Sequence, residues 1–213
     1  MAPRGYHRRM PRPPLAALAA ALLAPALPAH AQSAITLYAG LRTGSGFEQV
    51  NPPNNAVDMQ NTAAGSVGVE WGGGARPFQL LFSYQRTKLE LGQSSTPGTP
   101  TEMPLQVSYL HIGGLNYFDG GPGRGPYVVG GLGATFLNPT LSGTSSRVRP
   151  SMNVGLGYQW PLSPTVALRS ELRAYLTAIN SSGSFFCSGG CVVQIQSTLM
   201  AQYEAMIGVS FGF

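Results

Sequence analysis

Charge is what this 213-residue chain has least of: Asp, Glu, Lys and Arg make up 10% of it, where soluble domains average about 25%. That is too little to clothe an ordinary water-facing surface. Long apolar runs are missing as well. Beyond the first thirty residues nothing approaches the roughly 20 consecutive apolar residues of a spanning helix. The hydrophobic fraction is nevertheless an ordinary 43%, and there are 28 glycines. This combination fits spanning elements that place their apolar residues at every second position. Cysteine and histidine are also scarce. Two cysteines cannot complete a structural zinc site, and after residue 31 the only histidine is His111, so neither a metal nor a cofactor is expected.

The first residues have a distinct character. Arg4, Arg8, Arg9 and Arg12 precede an apolar stretch from Leu15 to Leu27, followed by Ala29-His30-Ala31. A basic segment, a short apolar segment and small residues at an A-x-A site describe a secretory signal peptide, with cleavage expected after Ala31. Pro25 and Pro28 interrupt the run, which is too short for a membrane anchor. No cysteine follows the site, which argues against a lipoprotein. Residues 1–31 are thus read as signal and 32–213 as the working domain. Of the 13 basic residues four leave with the signal, so nine remain against eight acids. The near-neutral remainder gives no reason to expect a nucleic-acid partner.

The working domain alternates with period two, the repeat of a β-strand with one apolar face. In Ala34–Thr43, Ile35, Leu37, Ala39 and Leu41 alternate with Thr36, Tyr38, Gly40 and Arg42. Thr62–Trp71 sets Val67, Val69 and Trp71 against Ser66, Gly68 and Glu70, and Phe78–Leu91 sets Phe78, Leu80, Phe82 and Tyr84 against Gln79, Leu81, Ser83 and Gln85. Two glycine-rich runs, Leu105–Phe118 and Tyr127–Leu137, have no clear parity. Ser151–Trp160 alternates again. Thr165–Thr177 opposes Val166, Leu168, Leu172 and Leu176 to Arg169, Glu171, Arg173 and Tyr175, and Ser197–Phe213 opposes Tyr203, Ile207, Val209, Phe211 and Phe213 to Gln202, Glu204, Gly208 and Ser210.

These eight runs are each long enough to cross a bilayer as a tilted strand. The connections alternate in length: long at residues 44–61, 92–104, 138–150 and 178–196, short at 72–77, 119–126 and 161–164. Short turns on one side and long loops on the other, with an even strand count, are the pattern of an all-β, eight-stranded antiparallel up-and-down transmembrane β-barrel. A soluble lipocalin-like barrel would share the alternation with its apolar face turned inward. Here the other face carries mostly Gly, Ser, Thr, Gln and Asn, which suits a narrow interior better than a solvated surface.

The last residues, Met206-Ile207-Gly208-Val209-Ser210-Phe211-Gly212-Phe213, resemble the C-terminal assembly signal of the outer-membrane β-barrel family. Those small eight-stranded barrels include the outer membrane protein A type and porin-like relatives. The resemblance covers the whole working domain and implies a bacterial outer-membrane location with both termini periplasmic. It also implies recognition of Gly208, Phe211 and Phe213 by the barrel-insertion machinery, with membrane lipid as the surroundings and a monomer as the unit.

Strand parity sends Arg42, Glu70, Arg169, Glu171, Arg173 and Glu204 to the inner side. Facing lipid, a basic residue at the bilayer midplane costs roughly 2–4 kcal/mol. Three bases and three acids can instead neutralise one another in the lumen. Such a network is expected to plug the barrel, so that Glu171→Ala both destabilises it and raises conductance. No catalytic constellation gathers around His111: Ser108, three positions away, belongs to the opposite face of the strand. The glycine clusters Gly130-Gly131-Leu132-Gly133 and Gly155-Leu156-Gly157 lack a dinucleotide or P-loop spacing. Cys187 and Cys191 flank Ser188-Gly189-Gly190, and in an oxidising compartment a local disulfide stiffening a loop tip is expected. The sequence therefore points to a structural or passive outer-membrane barrel with a largely plugged lumen and at most weak small-solute permeation. A surface recognition module acting through the loops is the alternative, and a lipid-modifying enzyme the third. The residues name no external ligand.

Overall fold

The computed structural model describes residues 33–44, 47–49, 56–90, 102–118, 123–140, 145–183 and 195–213. The expected signal peptide and Cys187 and Cys191 lie outside the described residues. Ten strands are present: β1 (Ala34–Gly44), β2 (Phe47–Gln49), β3 (Ala56–Met59), β4 (Thr62–Trp71), β5 (Phe78–Glu90), β6 (Glu102–Tyr117), β7 (Gly125–Pro139), β8 (Arg147–Pro161), β9 (Val166–Gly183) and β10 (Ile195–Gly212). Every pairing between them is antiparallel.

The ten strands make eight staves. β2 takes up the pairing with β10 where β1 leaves off, and β3 pairs with β5 just above β4, so each short strand extends a longer one. Each stave pairs with its sequence neighbours and β1 closes onto β10, giving a closed eight-stranded up-and-down barrel. No edge is left to template aggregation.

The stagger can be read by walking along one ladder row. From Ala34 the partners are Glu70, Gln79, Gly113, Gly131, Asn153, Tyr175, Gln202 and then Gly44, ten residues further along β1. A shear of that size on eight strands tilts them about 40° from the axis, so each residue climbs roughly 2.5 Å along it.

The faces divide as alternation requires. Leu37, Leu41, Phe82, Val154, Leu156, Leu172 and Ile207 are exposed on the outer wall, while Thr36, Ser83, Thr135, Asn153, Thr177 and Gln202 are buried inside. Aromatic residues ring the turn end of the outer wall: Trp71 stacks on Phe78 at 6.1 Å between centroids, and Tyr158 packs against Trp160 at 4.6 Å. Tyr84 and Tyr203 mark the other end. On β10, Tyr203 and Phe211 stand eight residues apart, roughly 20 Å along the axis, close to the apolar belt of about 25 Å in membrane barrels.

Two features depart from the sequence reading. First, β6 and β7, whose parity was ambiguous, turn bulky residues inward: Met103, Leu105, Val107, Tyr109, Leu115, Tyr117, Tyr127, Val129 and Leu137 are all buried. Their small outward residues and opposed glycines hide the alternation. Second, several strands run further at the loop end than expected, so that Pro104, Pro139, Pro150, Arg147 and Arg149 belong to strands instead of connections. Proline is tolerated there because the staggered neighbour has ended. The β6–β7 ladder begins at Leu105, one residue after Pro104, and the β8–β9 ladder at Ser151, one after Pro150.

Candidate functional site in the barrel lumen

Strand β9 carries Arg169, Glu171 and Arg173 at alternate positions, so all three point into the lumen. Glu70 arrives from the end of β4, Arg42 from the loop half of β1 and Glu204 from β10. All six side chains are buried, none more than 4% exposed. They form three ion pairs. Arg169 forks onto Glu70, with Nη2 donating to Oε2 at 2.8 Å and Nη1 to Oε1. Arg173 donates from Nε to Glu171 Oε1 at 2.6 Å. Arg42 donates from Nη2 and Nε to Glu204 Oε2 at 2.8 and 3.2 Å.

Buried ions of this kind persist only where further hydrogen bonds complete their shells. The turn-end pairs are tied into one net. Arg169 also donates to Gln159 (2.7 Å), to the Tyr117 hydroxyl (2.9 Å) and to the Tyr38 hydroxyl (3.2 Å). Gln79 donates to Glu70 at 3.0 Å and accepts from Arg173 at 3.1 Å, and Asn153 accepts from Arg173 at 3.3 Å. Glu171 accepts from Tyr127 at 2.8 Å and from Tyr38 at 3.3 Å.

Two glycines make those tyrosine contacts possible. Tyr127, Gly157 and Glu171 lie on one row across β7, β8 and β9, and Tyr38, Gly208 and Arg169 on one row across β1, β10 and β9. Each phenol lies over the glycine of the intervening strand to reach β9. A Cβ on Gly157 would stand 2.4 Å from the Tyr127 ring, and one on Gly208 2.6 Å from that of Tyr38. Gly208, read from sequence as part of an assembly signal, thus has a packing role as well.

The Arg42–Glu204 pair sits higher, and no hydrogen bond described here joins it to the lower net. The guanidinium lies over Tyr109 and Tyr175, 5.1 and 4.8 Å from their centroids, and those rings stack at 4.3 Å. Tyr175 donates to Glu204 at 2.8 Å, and Arg42 also reaches Ser83, which accepts from Ser66 at 2.8 Å. His111 stacks on Tyr109 at 5.5 Å, and its Nε2 lies 2.8 Å from Ser151 Oγ. Ser151 had no signal in the sequence, since only the β6–β7–β8 registers bring it to His111. Ser108 faces outward. His111 Nδ1, Arg42 Nη1 and Glu204 Oε1 have no hydrogen-bond partner. No group of three His, Cys, Asp or Glu gathers for a metal among the described residues.

Above this level the lumen changes character. Met59, Leu89, Met103, Leu105, Val107, Leu137, Ile179 and Met200 fill it, all within 4% of complete burial and continuous with Leu81, Tyr109 and Tyr175. The outer wall changes in the opposite sense. Along β5 the outward residues pass from Phe78, Leu80, Phe82 and Tyr84 to Arg86, Lys88 and Glu90, and Lys88 pairs with Glu102 of β6 at 2.6 Å in the open. The turn end is closed by a smaller cluster of Leu115, Tyr117, Tyr127 and Val129, packed with Ala75.

No family model and no curated protein matches the chain. Solved structures do. Neisserial surface protein A aligns at a TM-score of 0.51 with 12% identity, over 85% of this chain and 97% of that one. The outer membrane protein AlkL aligns at 0.48 with 13% identity over 85% and 90%, and the N-terminal β-barrel domain of Pseudomonas aeruginosa OprF at 0.41 with 17% identity over 85% and 98%. With a closed ring of eight staves, an apolar outer wall and a polar, filled interior, the chain has the fold of the small eight-stranded outer-membrane β-barrels.

Proposed function

We propose that the chain is an integral outer-membrane protein with a structural role, its lumen closed and its four long connections displayed at the cell surface. The carrying observation is the pairing of an apolar, aromatic-ringed outer wall with an interior whose six charges are matched three against three. Only hydrocarbon rewards that outer wall, and only a filled lumen tolerates those ions. In this reading residues 1–31 are removed on export, both ends of the mature chain lie in the periplasm, the insertion machinery reads the last strand, and the barrel works as a monomer surrounded by lipid. A disulfide between Cys187 and Cys191 would stiffen one displayed loop.

The test is planar-bilayer recording on refolded protein, with folding checked by heat-modifiable gel mobility. A compact, heat-modifiable species with no steady current is expected. A steady large current would refute the closed lumen, and failure to enter bilayers would refute the membrane assignment.

Recognition through the loops is a second reading with its own support. The staves continue past the apolar belt with charged outer faces at Arg86, Lys88, Glu90 and Glu102, which gives the loops a rigid base. Binding of labelled protein to host or bacterial surfaces, lost when the loops are shortened, would test it.

A further inference from the structure

Along the axis the chain reverses its polarity. In the lower part the wall is apolar outside and the lumen polar inside. In the loop-end part the outward residues are Arg86, Lys88, Glu90 and Glu102, while the inward ones are Leu89, Met103, Leu105, Val107, Leu137, Ile179 and Met200. The first arrangement suits hydrocarbon and the second suits water. The switch falls at one height. Tyr84 and Tyr203 are the last outward aromatics of their strands before it, and Gln85, Thr177 and Gln202 are the last inward polar residues beneath Leu89, Ile179 and Met200.

From this we infer that permeation is barred by the apolar layer at the projecting loop end, which excludes ions and hydrated solutes, and not by the lumen ion pairs. The inference deepens the closed-barrel reading and rests on it. The layer draws on six of the eight staves, through β3, β5, β6, β7, β9 and β10. With side chains 0–4% exposed, it offers an entering ion nothing to replace its hydration shell. Such a constriction excludes ions by failing to hold water. Beneath it, His111 Nδ1, Arg42 Nη1 and Glu204 Oε1 are buried polar atoms without partners, in a section whose chemistry favours water. The ion pairs therefore sit in the wettable part of the path and the apolar layer in the dry part. Two barriers lie in series, and opening the wettable one leaves the dry one shut. Glu171→Ala accordingly destabilises the barrel without opening it, which replaces the expectation from sequence that it would conduct.

The experiment compares three refolded proteins in planar bilayers with potassium chloride: wild type, Glu171→Ala, and Leu105→Asn with Val107→Thr. The last pair changes polarity at nearly constant volume, and heat-modifiable mobility selects folded protein in each case. If the paired variant fails to fold, Val107→Thr alone serves. The layer variant is expected to raise mean current about tenfold or more, and Glu171→Ala to stay within about twofold of wild type. A layer variant as closed as wild type overturns the inference, and so does an open Glu171→Ala. A steady large current in the wild type would instead defeat the closed-barrel reading beneath it.

Discussion

Truncating Glu171 removes the acceptor at the centre of the lower net. Its carboxylate takes hydrogen bonds from Arg173 at 2.6 Å, Tyr127 at 2.8 Å and Tyr38 at 3.3 Å. In Glu171→Ala the Arg173 guanidinium keeps only the neutral acceptors Gln79 and Asn153, at 3.1 and 3.3 Å. It stays fully enclosed, and both phenols lose a charged partner. Breaking a buried pair from one side costs about 3–5 kcal/mol, because the remaining ion has left water for nothing. Neutral hydrogen bonds contribute about 1 kcal/mol each and cannot offset that. Urea unfolding in lipid vesicles, followed by loss of the compact gel form, should show the destabilisation directly. Removing the partner as well, in Glu171→Ala with Arg173→Met, should recover part of it, with a coupling energy of about 1 kcal/mol or more. A single variant within about 0.5 kcal/mol of wild type, or a double variant no better than the sum of its parts, would refute the claim that this pair is held by mutual charge.

Three further outcomes are expected. Gly157→Val should force the Tyr127 phenol off Glu171, since even a Cβ there would stand 2.5 Å from the hydroxyl; a loss of about 1–3 kcal/mol, partly relieved by Tyr127→Leu, is anticipated in the same urea assay, and unchanged stability would count against the tyrosine-over-glycine packing. Deleting Phe213, which closes the ring through a backbone bond to Ser33 at 2.9 Å and exposes its side chain outward, should lower the heat-modifiable form recovered from outer membranes; equal recovery would dismiss the terminal assembly signal. An epitope tag inserted after Ser182 should be stained on intact cells, whereas staining only after permeabilisation would invert the assigned orientation.

Much of the barrel was legible before any coordinates, because a strand's side chains alternate by geometry and a membrane barrel needs opposite chemistry on its two faces. Thr36, Tyr38 and Arg42 in β1, or Arg169, Glu171 and Arg173 in β9, follow from that alone. The count of long strands, the alternation of connection lengths and the inward placement of the six charges were all in the residue order. What the order could not express is registration between strands distant in sequence. The pairing of Glu70 with Arg169, ninety-nine positions apart, depends on the stagger that returns Ala34's row to Gly44, and so does the meeting of His111 with Ser151. Parity was also unreadable in β6 and β7. There glycines Gly113, Gly131 and Gly133 give neither face a signature, yet inside the closed ring they leave room for bulkier inward neighbours. The loop-end reversal was hidden for a related reason. Alternation has the same period whichever face is apolar, so only the position of Arg86 and Lys88 on the outside, with Leu105 and Val107 on the inside, decides where hydrocarbon gives way to water. Local geometry sets which residues share a face; closure of the ring sets what each face meets.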